Sequence, residues 1–159
     1  MVEVVTVLIV LSIITAVVAS RFTTKNMYEL MVEADGLKAS LHYAQIQALN
    51  DDAATWGIHF TDDGTSYELY KNGVPAVDGS LNPVMIPVKI FDAEKDPPPN
   101  NTHKLQGNVQ ITTGAGTTVT YNEKWGSPGP TTLYMTLICQ SEDPIRIAIT
   151  PETGFIYVP

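Results

Sequence analysis

The first 19 residues, MVEVVTVLIVLSIITAVVA, contain one ionisable side chain, Glu3, and no Lys, Arg or Asp. As an α-helix, at about 1.5 Å per residue, they would span roughly 28 Å, close to the hydrocarbon thickness of a bilayer. The run therefore predicts a membrane-spanning helix, with Arg21 and Lys25 as interfacial anchors behind it. Because an ionised carboxylate is costly in hydrocarbon, whatever pairs with Glu3 constrains what the chain does.

The stretch after the apolar run predicts an amphipathic helix. Apolar residues recur there at spacings of three and four, and the pattern assigns Glu29, Glu33, Asp35, Lys38 and Gln45 to the other faces. No Pro occurs in residues 1–50, so a single helix of about 50 residues is expected, apolar all round in its first half and striped in its second. The predicted stripe comprises Met27, Leu30, Met31, Ala34, Leu37, Leu41, Ala44 and Ala48.

From residue 53 onward the pattern changes to short β-branched and aromatic runs separated by turn clusters. A loop is expected at 92–105, because the prolines of DPPPNN donate no ladder hydrogen bonds. The predicted strands are TWGIHF, SYELYKNG, VMIPVKIF, NVQITT, TTVTYN, TLYMTLIC, IRIAIT and GFIYV.

These patterns predict an α+β chain in three parts. Residues 1–22 form a membrane-spanning helix, and 23–52 form its amphipathic continuation. Residues 53–159 form one antiparallel β head, against which the helix stripe packs.

The charge of the chain narrows the range of its partners, and its cysteine content limits its possible disulfides. The net charge is -8 and the pI is near 4.6, so the chain repels nucleic acid, and no nucleic-acid partner is expected. Cys139 is the only cysteine, which excludes an intrachain disulfide, and its apolar neighbours favour a buried thiol over a reactive one.

The remaining polar residues do not form a catalytic or metal-binding pattern. His42, His59 and His103 lack ligand spacing, so surface or packing roles are favoured over metal binding. Asp62-Asp63-Gly64 fits a hairpin turn better than a calcium loop, which would need further acids at alternate positions. No enzyme, metal or cofactor is expected.

Residues 1–22 resemble the N-terminal helix of type IV pilins and type II secretion pseudopilins. In that family the mature chain begins with a pattern like Phe-Thr-Leu-Ile-Glu-Leu, followed by about fifteen apolar residues. Met1-Val2-Glu3-Val4 falls on Leu-Ile-Glu-Leu, Ser12 on a common Gly, and Ser20-Arg21-Phe22 on Pro-Arg-Phe. The family glutamate is fifth in the mature chain, so either two residues precede Met1 or this filament uses a shorter N-terminus.

A second resemblance covers the head. In H-type minor pseudopilins, the helix end and first hairpin are similar to LKASLHYAQIQALNDDAATWGIHFTDDGTSYELYKNG, and the closing strands are similar to IRIAITPETGFIYV. In some such heads a basic C-terminal tail binds DNA. Here Phe155-Ile156-Tyr157 follows Gly154 without an Arg, so DNA binding is not expected.

The resemblance implies the pilin fold, a place in a filament core for the helix of residues 1–22, and a role for Glu3 in assembly. Between staggered helices, the Glu3 carboxylate of one subunit would pair with the α-amine of Met1 in its neighbour. The alternative is a solvated acid in the headgroup layer. Ser12, Thr15 and Ser20 occupy the stretch where family members have helix breakers, so they mark either a helix-melting segment or ordinary membrane-helix residues bonded to their own backbone.

A structural subunit of a type IV pilus-like filament is therefore expected. Its partners would be copies of itself, the inner-membrane pilus or secretion assembly machinery and a prepilin peptidase. The resemblance implies the bacterial inner membrane before assembly and an extracellular or periplasmic filament afterwards. Two alternatives stay open: an H-type minor pseudopilin of a type II secretion pseudopilus, and a membrane-anchored binding module that does not polymerise.

Overall fold

The structure is a computed structural model and describes residues 2–51, 53–76, 102–121, 128–140 and 142–159. Within the helix, the side chains of residues 2, 3 and 17–24 are not described. The predicted strand at 84–91 lies outside the described residues. The chain is α+β, with an N-terminal helix and antiparallel sheets, which confirms the predicted class.

Helix α1 spans Val2–Asn50, a length of about 74 Å at 1.5 Å per residue. Its end is closed by local contacts, since the amide of Asp51 donates to the carbonyl of Gln47 and the Asp51 carboxylate accepts from the amide of Ala53. Among the α1 residues whose side chains are described, those buried against the head lie in the second half of the helix. Leu30, Leu37 and Leu41 lie on that buried face.

The first sheet has the strand order β3-β2-β1-β6, with β4 also paired to β2. All its described pairings are antiparallel, and an Asn72-Gly73 turn with positive φ at both residues joins β2 to β3. Its strands are β1 (Trp56–Phe60), β2 (Ser66–Lys71), β3 (Val74–Pro75), β4 (Thr102–Lys104) and β6 (Thr118–Tyr121).

The second sheet has the strand order β5-β7-β8-β9 and is also antiparallel. A register shift between Ile111 and Thr113 interrupts the pairing of β5 with β7. The amide of Ile111 donates to the carbonyl of Gly64 in the β1–β2 turn, which links the two sheets. Its strands are β5 (Val109–Thr113), β7 (Leu133–Cys139), β8 (Ile145–Ile149) and β9 (Ile156–Tyr157).

One core lies between α1 and the inner faces of both sheets. Leucines of α1 meet alternate strand residues such as Ile58 of β1, Leu137 of β7 and Ile147 of β8, all fully buried. Period-two alternation of burial is clear in β5, where Val109 and Ile111 are buried and Gln110 is exposed. The buried thiol expected at Cys139 is confirmed.

The structure corrects three sequence expectations. The loop expected at 92–105 contains strand β4 at its end, because Thr102–Lys104 pairs with β2 and buries His103. Glu33, which the helical pattern places on a polar face, is buried against the head because its carboxylate contacts His103 and the amide of Gln106. Conversely, Met27 and Met31 of the predicted stripe are exposed.

Candidate functional site

Residues 4–16, in the apolar first half of α1, are exposed on all sides of the helix. Every residue from 4 to 16 is exposed, and the large apolar side chains among them expose between 51% and 64% of their surface. They are Val4, Val5, Val7, Leu8, Ile9, Val10, Leu11, Ile13 and Ile14. A contiguous apolar surface of this kind on a protein marks a site for a protein or lipid partner. We call residues 4–16 the apolar segment.

Exposed apolar side chains also lie on α1 beside the head, in two groups separated by residues 32–45. Met27, Tyr28, Met31, Ile46 and Leu49 are exposed, whereas the buried residues of the same helix half face the sheets. The spacings within this set place its members on the solvent side of the helix, away from the core. We call these five residues the outer stripe. The outer stripe and the apolar segment present apolar side chains on the same helix.

Two predicted site residues in the apolar segment carry hydroxyls that bond within the helix. The Ser12 hydroxyl donates to the Ile9 carbonyl at 2.8 Å, and the Thr15 hydroxyl donates to the Leu11 carbonyl at 2.8 Å. The helix is continuous through both positions. Back-bonding of this type satisfies the hydroxyl without a partner from another chain, and it weakens helices slightly.

The other predicted assembly residues lie largely outside the described part of the chain. Met1 is not described, nor are the side chains of Glu3, Ser20 and Arg21. Lys25 is described, and its ammonium lies 3.5 Å from the Glu29 carboxylate, one helical turn further along α1. The structure therefore places Lys25 in an intrahelical ion pair at the boundary with the head.

The side chains of residues 1–3 and 17–24 are not described. Among the other described residues, no helix contains a stretch long and apolar enough to cross a membrane.

The three histidines occupy different environments. His42 is exposed on α1, and His59 of β1 stacks on Tyr70 and shares a 2.9 Å hydrogen bond with the hydroxyl of Thr118. His103 is buried against Glu33. Among the described residues, no group of three or more His, Cys, Asp or Glu side chains is arranged to hold a metal ion.

The Asp62-Asp63-Gly64 sequence forms the turn between β1 and β2, as predicted. The Asp63 carboxylate accepts from the hydroxyls of Thr61 and Thr65 and from the amide of Thr65. These hydrogen bonds lower the pKa of Asp63 to about 2. The carboxylate is thus occupied in organising the turn.

Sequence reasoning missed the buried pair between Glu33 and His103. A signal was present, since Glu33 follows Leu30 by three positions and precedes Leu37 by four, which puts it on the head-facing side of the helix. Nothing local identified the partner, because His103 is far away in sequence and follows a Pro- and Asn-rich segment.

Comparison with protein-family models, curated proteins and solved structures finds no match for this chain.

Proposed function

We propose that this protein is a structural subunit that polymerises through α1 into a type IV pilus-like filament, and that its helix and sheets form the pilin arrangement. The observation that carries the proposal is the exposed apolar segment on a helix whose other half is anchored in a folded head. In such a chain the head folds without using the apolar segment, so the apolar segment remains available for contacts with other copies of the chain.

The energetics favour association through the helix. Moving a large aliphatic side chain from water into a packed interface contributes about 1.5–3 kcal/mol, and the apolar segment carries many of them. From lipid the gain is smaller and comes from close packing between helices. In both cases, bundling the apolar segments of several copies buries a surface that the isolated chain leaves exposed.

The outer stripe supports the same proposal. Tyr28 and Met31 lie on the side of α1 that faces away from the head, so a neighbouring helix can pack along the second half of α1 without displacing the sheets. In a staggered bundle, the apolar segment of one copy would lie against the outer stripe of the next. The acidic heads would then remain on the outside.

Glu3 provides the test of this function. Glu3→Val makes the N-terminal run more apolar, so the chain should still insert in the membrane, but it removes the proposed partner of the Met1 amine. We expect normal membrane levels by immunoblot and few or no sheared filaments, with Glu3→Asp intermediate. Wild-type filament yield from Glu3→Val would show that the acid is merely solvated and has no role in assembly.

A further inference from the structure

An aromatic surface lies on the outer face of the second sheet. Tyr134 of β7, Ala148 of β8 and Tyr157 of β9 are directly opposite one another across three neighbouring strands. Opposite residues on adjacent strands point to the same side of a sheet, and Ala148 alternates with core residues on either side of it. These three side chains therefore face away from the core. The ring of Phe155 stacks on that of Tyr157, with 6.1 Å between the centroids.

The surface of this group is formed by the rings. Tyr134 and Phe155 expose 47% and 59% of their surface, whereas Ala148 between the two tyrosines is fully buried. Exposed aromatic side chains that lie together on one face of a sheet mark a site for a partner.

Arg146 adds a positive charge beside the rings. Its guanidinium carbon lies 5.8 Å from the centroid of the Tyr134 ring, and the residue is exposed. In the described part of the chain, none of the ion pairs between side chains involves Arg146. An exposed guanidinium without a carboxylate, on a chain with a net charge of -8, favours a partner that carries a carboxylate. We call Tyr134, Arg146, Phe155 and Tyr157 the aromatic face.

The chain itself contains a sequence with the matching chemistry. Asp96 is followed by three prolines in a stretch that lies outside the described residues. Consecutive prolines favour the polyproline II conformation, and aromatic surfaces bind such segments with little loss of conformational entropy. Asp96 carries the carboxylate that complements Arg146.

We propose that the aromatic face binds residues 96–99 of another copy of this chain. The prolines pack on the rings, and the Asp96 carboxylate pairs with the Arg146 guanidinium. One short segment binds weakly, so the contact needs the high local concentration of neighbouring heads and in this respect rests on the proposed filament. It links the heads outside the helix bundle.

A peptide titration of the full chain in a non-ionic detergent tests the contact in the absence of filaments. The probe is a synthetic peptide, AEKDPPPNN, with the sequence of residues 93–101. By NMR we expect saturable chemical-shift changes at the amides of Tyr134, Arg146 and Tyr157, and none at Ile58 of the first sheet. The same peptide with alanine in place of its prolines should not bind. No change with the first peptide, or equal changes with both, would overturn the proposal.

The charge pair has its own double-mutant cycle. Asp96→Asn in the peptide and Arg146→Gln in the chain should each weaken binding about two- to fivefold, because each breaks the same exposed ion pair. The two changes together should weaken binding no more than either alone. Independent effects of the two changes would contradict the pairing of Asp96 with Arg146.

Ring variants assign the binding to the aromatic face. Tyr134→Ala should weaken peptide binding about fivefold or more, because exposed tyrosines commonly dominate such contacts. Tyr70→Ala removes a tyrosine of the first sheet and should leave binding unchanged. Wild-type affinity in Tyr134→Ala would exclude the aromatic face as the site. If a variant chain does not fold, the comparison of the two peptides on the wild-type chain decides alone.

This contact and the proposed function fail separately. Filaments without peptide binding would overturn the contact and leave the proposed function intact, whereas peptide binding without filaments would support the contact and overturn the filament. Replacing the three prolines of the chain by alanine separates binding between copies from binding within one copy. Shift differences from the wild type at Tyr134 should grow with protein concentration. Differences independent of concentration would contradict a contact between copies.

Discussion

The Nζ atom of Lys71 lies 2.8 Å from Oδ2 of Asp51, so an ion pair joins the end of β2 to the residue that follows α1. The indole N–H of Trp56 points to the same carboxylate oxygen at 3.3 Å, and the Lys71 ammonium lies 4.9 Å from the centroid of the Trp56 ring. These contacts attach the end of α1 to the first sheet. They lie at the opposite end of β2 from the Glu33–His103 pair.

Lys71→Met should make the head less stable near neutral pH but not in strong acid. The hydrogen bond from Lys71 lowers the pKa of Asp51 below its usual value, so this contribution is present above the usual aspartate pKa and is lost as the pH falls through the lowered one. The effect should be small, because both side chains are about one-third exposed. Thermal unfolding by circular dichroism at several pH values measures it. A Tm difference that does not change with pH would contradict the account.

Asp63 should remain ionised to unusually low pH. Its pKa of about 2 results from donors in the turn, of which the Thr65 hydroxyl is one. Thr65→Val removes that hydroxyl and keeps the backbone donor, so the pKa should rise part of the way towards the usual value. Carboxyl-carbon NMR titration of both proteins gives the two values. An unchanged pKa in Thr65→Val would show that the hydroxyl does not stabilise the carboxylate.

Gly57→Ala should destabilise the head by about 1–3 kcal/mol. Gly57 lies in β1 between β2 and β6, and a Cβ there would collide with the backbone carbonyl of Val119. Urea denaturation measures the loss. The backbone of β6 cannot move away without disturbing the β1–β6 pairing. A variant as stable as the wild type would therefore mean that β1 and β6 lie further apart than in this structure.

Gly73→Ala is the matched control for Gly57→Ala. A Cβ at Gly73 meets nothing within 4 Å, but the residue has a φ of +77° in the two-residue β2–β3 turn. The cost should therefore come from the backbone alone, at about 1–2 kcal/mol. A larger loss from Gly73→Ala than from Gly57→Ala would reverse the predicted order.

Leu30 and Met31 are neighbours in sequence, but Leu30 lies in the core and Met31 belongs to the outer stripe. Leu30 is 1% exposed and Met31 is 49% exposed. Leu30→Ala should cost about 2–5 kcal/mol of stability, because it opens a cavity between helix and sheets. Met31→Ala should stay within about 0.5 kcal/mol of the wild type and reduce the yield of sheared filaments. Unfolding and filament assays on both variants measure the two effects, and full filament yield from Met31→Ala would exclude the outer stripe from assembly.

Most of the strands could be predicted because they are short runs of β-branched and aromatic residues between clusters of turn residues. Val109 and Ile111 of β5, and the runs that became β1, β7 and β8, carried enough β-branched and aromatic residues to identify each element locally. The Asn72-Gly73 turn was likewise recognisable as a turn from its residue types.

The features that the sequence alone did not predict, strand β4 and the exposed face of α1, depend on contacts between residues far apart in the chain. Strand β4 is too short to show periodicity, and it forms because β2 offers a free edge and Glu33 offers a buried partner for His103. The outer stripe was also mispredicted in part. A helix with apolar residues on more than one face gives no local sign of which face a sheet will cover, so Met27 and Met31 were assigned to the core.

Negative-stain microscopy of filaments sheared from cells that express the full chain, with mass spectrometry of the same fraction, tests the central claim most directly. The account predicts thin filaments in which this chain is a major component, and their loss when Glu3 is replaced by Val. If this chain stays in the membrane fraction and the sheared fraction contains no filaments with it, the claim that it is the subunit of a surface filament is contradicted, and the minor pseudopilin and the membrane-anchored binding module are the interpretations that are left.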